Sequence, residues 1–328
     1  MTLEIDTLGT DQAPVVGPVG PRELLMRVVG VRDLCPDVRE VTFARADGVD
    51  LPSFAAGSHL AVAWRDGERN SYSLTGPMIE PRDYTISVRR DRSGRGGSAW
   101  IHRLAVGDLV VTSTPRSAFA PVAAARHSVL VAGGIGVTPI LSHVRDAVLW
   151  NRSFEVLYAH RPGFGPHADD LRELAGHRVT IVHSGRDLLA ELASRLADAP
   201  LGAHLFTCGP VGMIEAVAAA ARDAGWPGKR VHSEPFASAA PLGGTSFAAR
   251  GAVVPVGEQT TLLEALLARG VAVPNLCRQG VCGECKLTVR GGRIDHRDAY
   301  LTDDERAAGD VMMPCVSRAV GDQVELEL

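Results

Sequence analysis

No stretch of this 328-residue chain is apolar for long enough to suggest a membrane helix. The most apolar stretch, Val129 to Leu141, falls short of the roughly 20 residues a bilayer needs. It is also broken by Gly133, Gly134 and Gly136. No secretory leader is expected, since Met1 to Thr10 carries Glu4 and Asp6 and no apolar core. Positive charge is not in excess, with 34 Lys plus Arg against 38 Asp plus Glu and a net charge of −4. Neutralising a phosphate backbone needs a basic surface, so nucleic acid is excluded as the main partner. Aromatic residues are only 5% of the chain. Six cysteines in a chain of this length are too sparse for a secreted disulfide scaffold. The expectation is a cytoplasmic protein with no membrane partner, whose cysteines stay reduced and serve as ligands.

Hydrophobic residues make up 45% and charged residues 22%, ordinary values for a folded chain with a core. The length suggests two to three domains. Glycine is plentiful, at 35 residues, and glycine lets backbone approach a ligand closely. Four of the six cysteines fall within the last 52 residues.

The organisation along the chain predicts a multidomain protein. Residues 1–22 hold few large apolar side chains and are expected to be a flexible tail. Over 23–125, short alternating runs separated by turn signals, such as Val38 to Phe43 and Tyr84 to Val88, predict an antiparallel β-barrel. Over 126–236, strands at Ser128–Ala132, Phe154–Ala159, Arg178–His183 and His204–Cys208 alternate with helical stretches. That alternation predicts an α/β domain with a parallel sheet. Its first helix is expected to open with Thr138 as N-cap and Pro139 in the first helical position. Residues 237–245, rich in Ala, Pro, Gly and Ser, read as a linker. The rest, 246–328, is a compact α+β segment in which Thr261 and Glu264 form a capping box and Gly270 stops the helix.

The cysteines are spaced Cys277-x4-Cys282-x2-Cys285, with Cys315 following 29 residues later. That is the plant-type ferredoxin spacing for a [2Fe–2S] cluster. Gly280 and Gly283 suit a loop that turns backbone N–H groups toward cluster sulfides. Zinc is the competing reading, but zinc ribbons use two C-x2-C pairs and only one is present. The segment Pro274 to Cys285 resembles the cluster loop of plant-type ferredoxin domains, and Met313 to Ala319 is similar to their fourth-ligand segment. With a barrel and an α/β domain before it, the chain after residue 22 resembles the phthalate dioxygenase reductase family. The resemblance implies a β-grasp ferredoxin-like domain at the C-terminus and electron transfer from a nicotinamide to an oxygenase.

The resemblance places a flavin on the barrel. The family's Arg-x-Tyr-Ser-Leu motif is matched by Tyr72, Ser73 and Leu74, while Arg69 stands one residue further upstream than the motif's arginine. Ile86, Ser87 and Val88 precede a turn, Gly96-Gly97-Ser98, that opens a helix-like stretch. N–H groups there, with the Ser98 hydroxyl, suit a single phosphate, which favours FMN over the alternative FAD. Arg89 and Arg90 could neutralise that phosphate.

Nicotinamide binding is expected at two glycine turns. Gly133, Gly134 and Gly136, followed by Thr138, join a strand to a helix, and Cys208-Gly209-Pro210 ends the fourth strand of the α/β domain. The family resemblance sets Cys208 beside the nicotinamide as a contact residue, and Glu234 and Phe236 as its terminal Glu-x-Phe near the flavin. Cys35 matches no family position and reads as a core residue. The family implies NADH, whereas Ser184 and Arg186 would accept the 2′-phosphate of NADPH and Asp187 would favour ribose hydroxyls.

Hydride carries two electrons and a [2Fe–2S] cluster accepts one, so a flavin between them converts one currency to the other. The expected activity is NAD(P)H oxidation with single electrons delivered to a Rieske-type or haem-type oxygenase, with no catalytic acid or base required. The alternative is a redox-sensing regulatory protein that binds the same cofactors without a dedicated oxygenase. Residues 246–328 carry nine basic and twelve acidic side chains, so most of the net negative charge lies where a basic partner could be steered.

Overall fold

The computed structural model describes residues 23–65, 68–92, 94, 96–117, 119–236, 245–249, 252–257, 260–275, 278, 280, 283–298 and 300–327. The tail expected over 1–22 and the linker over 237–244 lie outside these residues, as do Cys277 and Cys282. Thr245, expected to end the linker, instead opens a strand.

The first sheet contains β1 (Glu23–Cys35), β2 (Val38–Arg45), β3 (Ser58–Arg65), β4 (Glu68–Ser73), β5 (Tyr84–Arg89), β6 (Leu109–Ser113) and β7 (Arg116–Ser117), with α1 (Gly97–Ile101) between β5 and β6. The strand order is β4-β3-β6-β1-β2-β5, with β7 beside β3. A bridge from Leu74 to Ile86 joins the two ends, so the sheet closes into an antiparallel barrel. Alternation decides which side chains go inside. On β5, Tyr84, Ile86 and Val88 join the core with Phe43, Leu60 and Trp100, leaving Thr85, Ser87 and Arg89 on the other face.

The second sheet has β8 (His127–Gly133), β9 (Phe154–Ala159), β10 (Val179–Val182), β11 (Ala203–Gly209) and β12 (Val231–Pro235), all parallel, in the order β10-β9-β8-β11-β12. Val129 to Ala132 is fully buried because helices cover both faces. On one face, α2 (Val137–Leu149) and α3 (Ala168–Ala175) bury Ile140, Leu141 and Leu171. On the other, α4 (Gly185–Asp198) and α5 (Val211–Asp223) bury Leu188, Leu192 and Val217. Helix α2 starts one residue before the expected cap. Gly136 already has helical φ and ψ (−62°, −3°), so the chain coils early and the Thr138 hydroxyl donates back to Ile135 O at 3.1 Å. Pro139, third in the helix, still needs no partner for the N–H it lacks.

The third sheet is mixed, in the order β14-β13-β17-β15-β16, with β13 (Thr245–Ala249) parallel to β17 (Arg318–Glu327). The remaining elements are β14 (Ala252–Val256), α6 (Leu262–Leu267), β15 (Leu287–Asp295), α7 (Asp303–Ala308) and β16 (Val311–Met312). The capping box at Thr261 and Glu264 is formed as expected. A second box, Thr302 with Glu305, opens α7.

The barrel and the parallel sheet are locked together by buried polar contacts. Ser87 Oγ lies 2.8 Å from His167 Nε2, and His167 Nδ1 lies 2.5 Å from Asp170 Oδ2. This line has the order of a hydrolase triad, but Ser87 is only 5% exposed and joins two domains rather than facing substrate. Arg145 Nε donates to Thr75 O at 2.8 Å and Gly57 N to Ser142 Oγ at 3.3 Å, adding two more ties.

Candidate functional site

The two expected glycine turns meet. β8 and β11 are neighbours, and the strand order reverses between them, which makes their carboxyl ends the switch point where open α/β sheets bind ligands. A Cβ on Gly136 would stand 2.3 Å from Cys208 O, and one on Gly209 would stand 3.1 Å from Gly133 Cα. Gly133 is equally confined, with Met213 Sδ 2.5 Å from where its Cβ would be. At Gly136 only hydrogen clears the facing backbone, while a side chain at Gly133 or Gly209 would first have to displace Met213.

The turns open into a groove of about 500 Å³ between barrel and parallel sheet. Gly133, Gly134, Ser184 and Pro210 line it, as do Arg89, Arg90 and Arg92 from the barrel. Arg92 is paired with Asp37 at 3.1 Å. The loop after β9 adds His160, Arg161 and Phe164, with the Arg161 guanidinium 4.8 Å from the Phe164 ring centroid. These three were not singled out from the sequence. Their position after the central strands of a parallel sheet was the available signal. Ser184 accepts a hydrogen bond from Asp187 N at 3.1 Å and donates to its carboxylate at 2.7 Å, so it caps α4 and ties Asp187 back. Arg186 follows on the exposed first turn.

Cys208 is fully buried, and burial with the nearby Glu234 carboxyl pushes its thiol well above the ordinary range. It is a thiol, not a nucleophilic thiolate. Glu234 faces it across the β11–β12 register, and burial pushes its carboxyl up to about 8. Phe236 packs on the core that includes Cys208 and Phe119.

On the barrel, Tyr72 lies opposite Leu60 and packs on the core, and burial raises its hydroxyl to about 12. Ser73 faces the other way, opposite His59. Leu74, Ile86 and Val88 are core side chains, so only their backbone can meet a ligand. Ser87 is held by His167, and Arg69 forms an ion pair with Glu23. Ser98 accepts from Asp91 N at 2.9 Å. The turn at Gly96 and Gly97 is instead approached by Asn70 and Trp64. A Cβ on Gly97 would lie 2.4 Å from Asn70 Nδ2 and 2.9 Å from Trp64 Nε1. The Trp64 indole N–H is buried and has no hydrogen-bond partner among the described residues. An unpaired buried donor beside a helix start fits an anionic acceptor such as a flavin phosphate. Asn70 and Trp64 were missed because the motif drew attention to Arg69.

In the third domain Cys285 and Cys315 are buried in one core with Met313 and Val316. Arg278, Gly280 and Gly283 all have left-handed φ (53°, 73°, 77°). A Cβ on Gly280 would lie 2.6 Å from Val316 Cγ2, and one on Gly283 2.2 Å from Tyr300 Cζ. Buried thiols beside tight glycine turns fit a thiolate-held cluster. Cys35 is not a core residue but half-exposed, lining a surface hollow at the end of β1.

A parallel-sheet dinucleotide groove, an antiparallel flavin barrel and a ferredoxin-type cluster loop define the class, an NAD(P)H-dependent flavin and iron–sulfur oxidoreductase. Residues 248–320 match the 2Fe-2S iron-sulfur cluster binding domain, and 110–231 match the N-terminal domain of the dimethylamine monooxygenase subunit DmmA-like family. The chain is 40% identical over 309 residues to the heme-dependent oxidative N-demethylase beta subunit of Ectopseudomonas mendocina (strain ymp), covering 92% of this chain and 98% of that one. It is 36% identical over 316 residues to the carnitine monooxygenase reductase subunit of Escherichia coli (strain K12), with the same coverage of 92% and 98%. The solved structure of phthalate dioxygenase reductase superposes with a TM-score of 0.73 at 32% identity, over 93% of this chain and 98% of that one. An intact type IV self-sufficient cytochrome P450 monooxygenase gives 0.77 at 33% identity over 95% of this chain, which spans 43% of that longer protein. The chain belongs to the phthalate dioxygenase reductase family, the reductases of oxygenase systems, and its cofactors are a flavin, a [2Fe–2S] cluster and NAD(P)H.

Proposed function

We propose that this chain is the reductase of a two-component oxygenase system, with FMN as its flavin and a haem-type oxygenase as the first candidate acceptor. The observation that carries the reading is the meeting of the Gly133–Gly136 and Cys208–Pro210 turns at the mouth of a groove walled on its far side by the flavin barrel. A flavin bound on the barrel would supply two-electron acceptance from the nicotinamide, and a cluster held by the cysteines would supply one-electron transfer.

The chain's own residues bind and orient. The N–H groups at the start of α2, with Arg89, Arg90 and Arg161, hold the dinucleotide's pyrophosphate and phosphates. The close contact of Gly136 with Cys208 fixes the floor on which the nicotinamide lies. Cys208, uncharged and small, leaves the ring room, and Glu234, whose carboxyl burial raises to about 8, stands beside it on the neighbouring strand. Tyr72 and Ser73 lie beside the flavin ring, and Asn70, Trp64 and the Gly96–Ser98 turn hold its phosphate. Cys277, Cys282, Cys285 and Cys315 hold the cluster.

The heme-dependent demethylase and P450 relatives favour a haem-type acceptor, while the relatives named as dioxygenase components keep a Rieske-type acceptor as the second reading. The purified chain, given NAD(P)H, should support turnover of a haem-type oxygenase and much slower turnover of a Rieske-type one. The reverse ranking exchanges the two readings. Rapid NAD(P)H oxidation with artificial acceptors, without any oxygenase, separates both from a redox sensor. Flavin released on denaturation should migrate as FMN.

A further inference from the structure

The geometry points to a two-charge seat on the flavin barrel, Arg116 and Glu68, that fixes the register of the cluster loop through Glu284 and Arg278. This rests on the reading above that the barrel carries the flavin and the loop the cluster. Arg116 Nη1 donates to Glu284 Oε2 at 2.6 Å, and Arg278 Nη1 donates to Glu68 Oε1 at 3.3 Å. The partners are 168 and 210 residues apart in sequence, so each pair joins two domains.

Both loop residues are next to cluster cysteines in the chain: Arg278 follows Cys277 and Glu284 precedes Cys285. Glu68 is on the strand that carries the flavin motif, and Arg116 is on a neighbouring strand joined to it through β3. Glu68 opens β4, which ends at Ser73, and Arg116 lies opposite His59, which lies opposite Ser73. The seat therefore joins the part of the barrel around the flavin strand to the cluster loop.

Two features separate this from incidental surface pairing. First, Arg278 holds a left-handed φ of 53°, which is costly for a residue with a Cβ. Its guanidinium is also braced by Asn275 Oδ1 at 3.0 Å. Second, the polarity is crossed. The barrel supplies one cation and one anion, and the loop supplies their complements. A slipped or rotated dock would set Arg116 against Arg278 and Glu68 against Glu284, so the pairs admit one register and oppose the alternative. His59, buried beneath Arg116 and kept uncharged, does not compete for Glu284. Side-chain exposures of 28% and 30% for the first pair, and 11% and 19% for the second, leave both pairs only partly screened.

The test compares full-length holoprotein with Arg116→Glu, Glu284→Arg and the double variant. Each is checked for iron content and by two readouts: stopped-flow reduction by NAD(P)H, and hydrogen exchange of 115–117 and 283–287. The single variants should keep flavin reduction within about twofold, slow the subsequent reduction of the cluster by tenfold or more, and lose exchange protection at both segments. The double variant should restore both readouts to within about threefold. Unchanged cluster reduction and protection in the single variants, or no recovery in the double, overturns the proposal. If Glu284→Arg fails to assemble its cluster, Arg116→Glu and Arg116→Gln on the barrel side give the same comparison against wild type. Failure of the wild-type cluster to be reduced at all would count against the underlying circuit rather than against the seat.

Discussion

At the residue scale, glycine marks the places where two pieces of backbone meet. Gly283→Ala adds a Cβ 2.2 Å from Tyr300 Cζ at a φ of 77°. Backbone strain alone costs about 1–3 kcal/mol, and iron content measured on the purified variant should fall. Gly136→Ala pushes against Cys208 O, so the Kd for NAD(P)H should rise at least tenfold with the flavin still bound. Titration adds a second residue-scale prediction. The Glu234 carboxyl is raised from 4.5 to about 8 by burial, so the folded chain binds more protons than the unfolded one between those values. Stability therefore falls as pH rises through that window, and Glu234→Gln should flatten the decline of Tm between pH 6 and 8. His59 and His143 act in the opposite direction. Both are lowered from 6.5 to about 4, chiefly by burial, so Tm should fall as pH drops from 6.5 toward 4.

At the element scale, local signals and tertiary contacts divide the explanation. The capping box of α6 was legible because Thr261 and Glu264 stand just before a leucine run. The same signature at Thr302 and Glu305 was present but passed over, because α7 is short and buries no residue of its own. Removing its cap by Thr302→Ala should cost about 1 kcal/mol, read as a lower denaturation midpoint of the C-terminal domain. Four of the five parallel strands were legible from compact apolar runs, whereas β12, whose sequence Val-His-Ser-Glu-Pro has no such run, was not. The pairing of Asn70 and Trp64 with Gly97 was not, since it depends on β3 and β4 lying side by side beneath α1. Nor was the engagement of Ser87 by His167, which requires the two domains to be packed together.

At the scale of the whole molecule, three sheets divide the labour. The parallel sheet offers its switch point to a dinucleotide, the barrel stands across the groove, and the cluster loop meets the barrel through paired charges. The order of the three units and the family were readable from motif spacing, because cluster ligands and glycine turns are local in sequence. The groove's arginines and the contacts between domains were not, because residues such as Arg89 and Arg161 come together only after folding. Substituting Cys315→Ser in the full chain should separate the units functionally. Ferricyanide reduction by NAD(P)H should persist near the wild-type rate, while cytochrome c reduction should fall by tenfold or more.

The central claim is that electrons from the nicotinamide pass through the flavin to the cluster. The most direct measurement is anaerobic addition of NAD(P)H to the purified full-length protein, followed by electron paramagnetic resonance. The account predicts bleaching of the flavin band and a signal from a reduced [2Fe–2S] cluster in the same sample. A reduced flavin with a cluster that only dithionite can reduce would contradict it.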